Sequence, residues 1–143
     1  MIDRRQATHQ DSDFVYFTKK EALGPYVEQT WGWDEQFQQK YHRKDFDPSQ
    51  IEILQSAGED IGVLAVTRTS SEIQINEIYI VPRFQRRGFG THILQAIIEE
   101  SSSQKLPIRL QFLKVNPVRS LYERLGFKVV GETEHHYLME RNA

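Results

Sequence analysis

Between residues 73 and 98 the spacing of apolar side chains changes period once, and no other feature constrains the fold as much. Ile73, Ile75, Glu77, Tyr79 and Val81 alternate along a strand, with Ile78 and Ile80 making its end apolar on both faces. After Gly90, the spacing of Ile93, Leu94, Ile97 and Ile98 puts them on one face of a helix. Between the two periods runs Pro82-Arg83-Phe84-Gln85-Arg86-Arg87-Gly88-Phe89-Gly90-Thr91, a loop with three arginines and two glycines. A strand, a glycine loop and a helix in that order suit an anion such as phosphate. Glycines let backbone N–H groups turn inward, the helix dipole favours negative charge, and the arginines add their own. The same residues also read as a glycine turn with solvated arginines.

The flanking pattern predicts the rest of the domain. Ile2 to Ala7 reads as a short first strand. Asp11-Ser12-Asp13 caps a helix that Gly24-Pro25 should break, with further helical pieces from Pro25 and from near Asp34. Ile51, Ile53, Ile61, Val63 and Ala65 alternate around Gly58, as an antiparallel hairpin requires. Ser101-Ser102-Ser103-Gln104 reads as a loop ending the helix after Gly90. Ile108, Leu110 and Phe112 form another strand, and Asn116-Pro117 caps a helix whose apolar stripe is Val118, Leu121, Tyr122 and Leu125. Gly126 suits its left-handed end, and residues 127–130 and 135–139 close the sheet. The sum is an α+β domain with a largely antiparallel sheet of about six to seven strands and helices on both faces.

Several functions are excluded or disfavoured at this level. The 143 residues suit one domain, and the absence of cysteine removes disulfides, thiolate zinc, iron–sulfur clusters and a cysteine nucleophile. A metal site at His135-His136 is not expected, because neighbours on a strand face opposite ways. Net charge is −2, which argues against binding to nucleic acid or membrane by bulk electrostatics. Met1-Ile2-Asp3-Arg4-Arg5 has no apolar run behind it and no stretch reaches 18 apolar residues, so neither a secretory leader nor a membrane span is expected and the cytoplasm is the default. Charge is unevenly distributed: residues 1–60 carry 7 basic and 12 acidic side chains, residues 61–143 carry 11 and 8.

Named anion loops fit poorly. A dinucleotide fingerprint needs a small residue where Ile93 stands, and a Walker loop needs Gly-Lys-Ser/Thr. Arg87-Gly88-Phe89-Gly90 matches half of an RNA-recognition octapeptide, but that motif lies on a strand and here a helix follows. What remains is Gln85-x-x-Gly88-x-Gly90 after Ile-Tyr-Ile-Val-Pro, with Asn116-Pro117 and Ser120-Leu121-Tyr122-Glu123-Arg124-Leu125-Gly126-Phe127 downstream. In these two motifs, over about residues 50–140, the chain resembles the GNAT superfamily of acyl-CoA N-acyltransferases.

The resemblance implies one domain over residues 1–143, with residues 1–50 as a helical acceptor-side arm and 50–140 as the cofactor-binding core. It implies that backbone N–H groups around Arg86, Arg87, Gly88, Phe89, Gly90 and Thr91 cradle the pyrophosphate of acetyl-CoA, with Gln85 in the same motif. Ile80 and Val81 would pair with the pantetheine in a splay between their strand and the one beginning near Ile108, the Val81 N–H donating to the thioester oxygen. Asn116 would contact the cofactor arm. Tyr122 matches the position of the acid that meets the departing thiolate, although its spacing also suits a core residue. A phenol near pKa 10 facing a thiolate near 8.5 transfers its proton uphill by roughly 2 kcal/mol, so a hydrogen bond to the leaving group is its minimum role. Glu77 stands where the family often has a carboxylate base, acting directly or through water; the alternative is a strand carboxylate paired with an arginine.

Attack on a thioester needs a neutral amine, and a lysine-like amine is neutral in only about one molecule in 2,000 at pH 7, so a base is required. Trp31-Gly32-Trp33-Asp34-Glu35 could wall a pocket for a cationic acceptor, with Tyr79 beside it, or else anchor the N-terminal helices. The expected activity is acetyl transfer from acetyl-CoA to a primary amine of a small molecule or peptide, in a ternary complex and without metal. The rival is a non-catalytic acyl-CoA-binding or sensory domain; RNA binding through Arg83, Arg86 and Arg87 is a third reading. Dimers are common in the family, which the resemblance carries over without placing an interface.

Overall fold

The computed structural model describes residues 2–143, and Met1 lies outside them. Seven strands, β1 (Asp3–Gln6), β2 (Glu52–Ser56), β3 (Glu59–Arg68), β4 (Ile73–Ile80), β5 (Ile108–Leu113), β6 (Lys128–Glu132) and β7 (His136–Arg141), form one sheet in the order β1-β2-β3-β4-β5-β7-β6. Every pairing is antiparallel except β4 with β5, whose connection runs through a helix. Four helices complete the α+β fold: α1 (Ser12–Trp31), α2 (Glu35–Asp45), α3 (Phe89–Gln104) and α4 (Arg119–Arg124).

Two apolar clusters lie on opposite faces of the sheet. On one, Ile93, Leu94 and Ile97 of α3 and Tyr122 of α4 pack with Leu64, Ile73, Ile75, Ile108 and Leu110. On the other, Val15 of α1 packs with Ile53, Val63 and Ala65, and Phe14, Phe46 and Tyr79 border them.

Three expectations need correction. Gly24-Pro25 does not break the first helix, which runs unbroken from Ser12 to Trp31. Pro25 removes one rung of the helical ladder, yet the helix continues through it, with the Trp33 ring packed against buried Gly24. Ser101–Gln104 is the last turn of α3, not a loop: Ser101 is fully buried, its carbonyl at the helix end accepts the Leu106 N–H at 3.0 Å and its hydroxyl donates to the Leu106 carbonyl, in a segment that composition alone makes look like a linker. Asn116 does not cap α4, which begins at Arg119 with Val118 before it.

The central strand holds the feature that positions the site. In the β3–β4 ladder Ala65 pairs with Glu77 and Val66 with Ile75, which leaves Asn76 as the extra residue of a bulge. Before it, the odd-numbered Ile73 and Ile75 face α3; after it, the even-numbered Ile78 and Ile80 do, while Tyr79 turns to the α1 side. The simple alternation from Ile73 to Val81 is therefore wrong in parity from residue 77 onward. The β4–β5 pairing stops at Ile75 with Leu110, although both strands continue. Beyond the bulge the two strands diverge, and the sheet is open between them.

Candidate active site

The opening between β4 and β5 continues into a cleft of about 1240 Å³. Its walls come from β4, β5, the loop after β4, the start of α3, the Asn116–Arg124 segment and, across the other face, α1 and α2. The splay is what lets residues from both faces of the sheet reach one space.

The free edge of β4 is defined by its hydrogen bonds. The Val81 N–H donates to the Ile61 carbonyl at 2.9 Å, so it points into the sheet and cannot serve a ligand in the splay. Antiparallel ladders alternate, so Ile78 and Ile80 carry the backbone groups facing the opening. The Gln85 amide confirms this direction by donating to the Ile80 carbonyl at 2.9 Å. The Val81 carbonyl is also occupied, by the Phe84 N–H at 2.8 Å. The donor expected at Val81 therefore moves to Ile80, a shift of one residue caused by ladder parity.

The glycine loop is shaped as an anion cradle. Arg86 and Gly88 both adopt left-handed backbone conformations, φ 64° and 82°, and Gly88 leads directly into α3. Phe89, Gly90 and Thr91 are the first residues of that helix, so their N–H groups have no helical acceptor. A Cβ on Gly88 or Gly90 would meet nothing within 4 Å, so there is open room in front of the loop. Gln85, Arg86, Gly88, Gly90 and Thr91 line the cleft. The side chains of Arg87 and Phe89 do not: Arg87 lies 5.5 Å over the Phe84 ring, and Phe89 packs edge-on to it at 6.4 Å, which fixes the loop from behind.

Asn116 lines the cleft with its side-chain Oδ1 buried and unpartnered. An acceptor atom left without a donor in a buried place carries a cost, which a donor on a bound molecule would remove. Free strand edge, glycine cradle and orphaned acceptor together fit an extended molecule carrying a phosphate group at one end and an amide along its length.

Tyr122 and Glu77 approach the same cleft from different elements. The Tyr122 ring is wedged 5.6 Å from both Phe112 and Phe127, while its hydroxyl makes no hydrogen bond among the described residues. Burial pushes this phenol up to about 12, so it stays protonated and acts as a donor at neutral pH. That value enlarges the gap to a departing thiolate, which favours hydrogen-bond donation over full proton transfer. Burial likewise raises the Glu77 carboxyl, with the Lys19 ammonium opposing it more weakly. No arginine pairs with Glu77 among the described residues, so the alternative of a strand carboxylate in an ion pair does not apply. Tyr79 lines the same cleft: burial raises its phenol first, and the charges of Glu77 and Tyr122 both act on it.

The tryptophans divide their roles. Trp31 lines the cleft and packs edge-on to His135 at 5.3 Å. Trp33 anchors the helices instead, its ring tilted 6.5 Å from Tyr16 and its Nε1 donating to Glu35 at 2.7 Å. Asp34 caps α2 by accepting the Phe37 N–H at 3.0 Å. Neither Trp33 nor Asp34 reaches the cleft. Sequence reading missed Lys19, Phe37, Tyr41 and His136, all of which line it. A signal was present for two of them, since Phe37 and Tyr41 stand four apart on an otherwise polar helix.

Comparison with known proteins gives a consistent result. The family model described as an acetyltransferase (GNAT) domain matches residues 47–129. Comparison with curated protein sequences gives no match. Among solved structures, a PaiA N-acetyltransferase from Thermoplasma acidophilum in complex with coenzyme A superposes with TM-score 0.80 at 15% identity, over 100% of this chain and 99% of that one. The ribosomal-protein-S18-alanine N-acetyltransferase from Escherichia coli gives 0.71 at 18%, over 99% and 94%. An Ard1 from Thermoplasma volcanium gives 0.69 at 18%, over 99% and 97%.

Proposed function

The chain belongs to the GNAT acetyltransferase family, and from that premise we propose that it transfers the acetyl group of acetyl-CoA to a primary amine by direct attack within a ternary complex. The observation that carries this reading is the convergence of Tyr122 and Glu77 on one cleft, beside a strand edge with free backbone groups.

Bound acetyl-CoA would supply the activated acyl group as a thioester. The N–H groups at the start of α3, with Arg86, would hold its diphosphate, and the edge of β4 at Ile80 would pair with its pantetheine arm. Asn116 Oδ1 would accept from an amide of the same arm. The acceptor amine arrives mostly as an ammonium, and the Glu77 carboxylate takes its proton, directly or through one water. The raised pKa of Glu77 makes it a stronger base than an ordinary glutamate. The Tyr122 hydroxyl donates a hydrogen bond to the sulfur as negative charge gathers there. No side chain needs to carry the acyl group, in keeping with a chain that has no cysteine.

Thermal unfolding with and without acetyl-CoA, beside ATP and NAD at equal concentration, tests the cofactor. Saturation at 100 times Kd contributes about 2.7 kcal/mol, and the melting temperature should rise by roughly 5–10 °C with acetyl-CoA alone. An equal rise with ATP would reduce the loop to a general anion site. Specific binding without turnover of any amine would favour the non-catalytic alternative.

A further inference from the structure

The acceptor side of the cleft is walled by rings that stay largely exposed. Among the described residues six large apolar side chains are left exposed, and the three that line the cleft are Trp31, Phe37 and Tyr41, at 56%, 60% and 47%. Phe37 and Tyr41 stack at 6.2 Å with their planes 26° apart, on α2, a helix that buries no residue. Rings held open to water on such a helix add nothing to the core, and an exposed stacked pair inside a groove marks a ligand surface.

The charges around these rings are mixed. Glu77, Glu21 and Lys19 line the cleft on this side, and the Tyr41 hydroxyl donates to Asp45. The Lys19 ammonium lies 5.7 Å from the centre of the Tyr41 ring, so the ring face already receives a cation. The same ammonium is close enough to Glu77 for its charge to act there.

We infer that the acceptor is a primary amine borne on an aromatic body, its ring seated against Phe37 and Tyr41 and its nitrogen directed to Glu77. This rests on the acetyl-transfer reading above. Two sources share that chemistry: an arylalkylamine, and an aromatic amino acid whose carboxylate would pair with Lys19.

The test follows thiol release from acetyl-CoA by the full chain with phenethylamine, phenylalanine, butylamine and spermidine, and monitors acetyl-CoA binding in parallel by thermal shift. An aromatic amine should exceed butylamine and spermidine in kcat/KM by about 10–100-fold, the range an apolar pocket delivers. Replacing both rings, Phe37→Ala with Tyr41→Ala, should close the gap between phenethylamine and butylamine. Phenylalanine ahead of phenethylamine supports the proposal with Lys19 as the carboxylate partner, and the reverse order supports it without that partner. Preference for spermidine or butylamine overturns the acceptor class and leaves acetyl transfer standing. Acetyl-CoA binding without turnover of any amine overturns both.

Discussion

At the scale of single residues the chemistry rests on two groups whose surroundings push them in the same direction. Burial raises both Tyr122 and Glu77, yet the consequences differ, because one acts when protonated and the other when ionised. Tyr122→Phe keeps the ring between Phe112 and Phe127 and removes only the donor. We expect kcat to fall by about 100-fold or more, with acetyl-CoA affinity from a thermal-shift titration nearly unchanged; an unaltered kcat at saturation would end the leaving-group role. Glu77 must be ionised to accept a proton, so activity should rise with pH through its raised pKa. In Glu77→Gln that limb should vanish, leaving a low rate that recovers only as pH approaches the amine's own pKa. A profile with the parent's acid limb would remove Glu77 as the base.

At the scale of elements, α2 depends on polar contacts where other helices depend on apolar burial. Glu35 is its hinge point, accepting from Tyr16 at 3.0 Å, Trp33 at 2.7 Å and Gln39 at 2.9 Å and pairing with Lys20 at 2.8 Å. Lys20 foremost, then Trp33, hold its carboxyl down near 2. Glu35→Ala should free α2 without unfolding the sheet, seen as faster amide exchange confined to residues 35–45 and a higher KM for the acceptor than for acetyl-CoA. Exchange unchanged in α2 would mean that apolar contact suffices. The β3–β4 ladder is held in the opposite way, by close approach. A Cβ at Gly62 would run into the Tyr79 carbonyl, so Gly62→Ala should cost about 1–3 kcal/mol in denaturant unfolding and loosen the strand that carries Glu77.

At the scale of the whole molecule, two polar clamps fasten the N-terminal arm, and each has its own pH limit. Arg5 grips Asp11 through two hydrogen bonds of 2.9 and 2.8 Å, and reaches Asp60 of β3 at 3.2 Å. Arg5 chiefly, with the Thr8 N–H, lowers the Asp11 pKa, so its contribution is complete above the ordinary carboxylate range and is lost as pH falls through the folded value. His42 joins the helices through Ser12, and burial lowers its pKa; burial lowers His136 as well. For such histidines the unfolded chain takes up protons first, so stability falls as pH drops below the ordinary value of about 6.5. The melting temperature should decline between pH 7 and 5, and less so in His42→Gln; an equal decline would assign the effect elsewhere. The sequence by itself determined the order of elements, the glycine loop and its helix, and the candidates Tyr122, Glu77 and Asn116, because periodicity, turn chemistry and motif spacing are local. Only the tertiary structure decided that Gly24-Pro25 stays helical, that Ser101 ends a helix by bonding to Leu106, and that Ile80, not Val81, faces the opening. The first two depend on how neighbouring turns pack, Trp33 on Gly24 and Leu106 on Ser101, and the last on ladder parity. One bulged residue, Asn76, reverses the faces of β4 from Glu77 onward, and alternation cannot reveal that reversal because both faces of the strand's end are apolar.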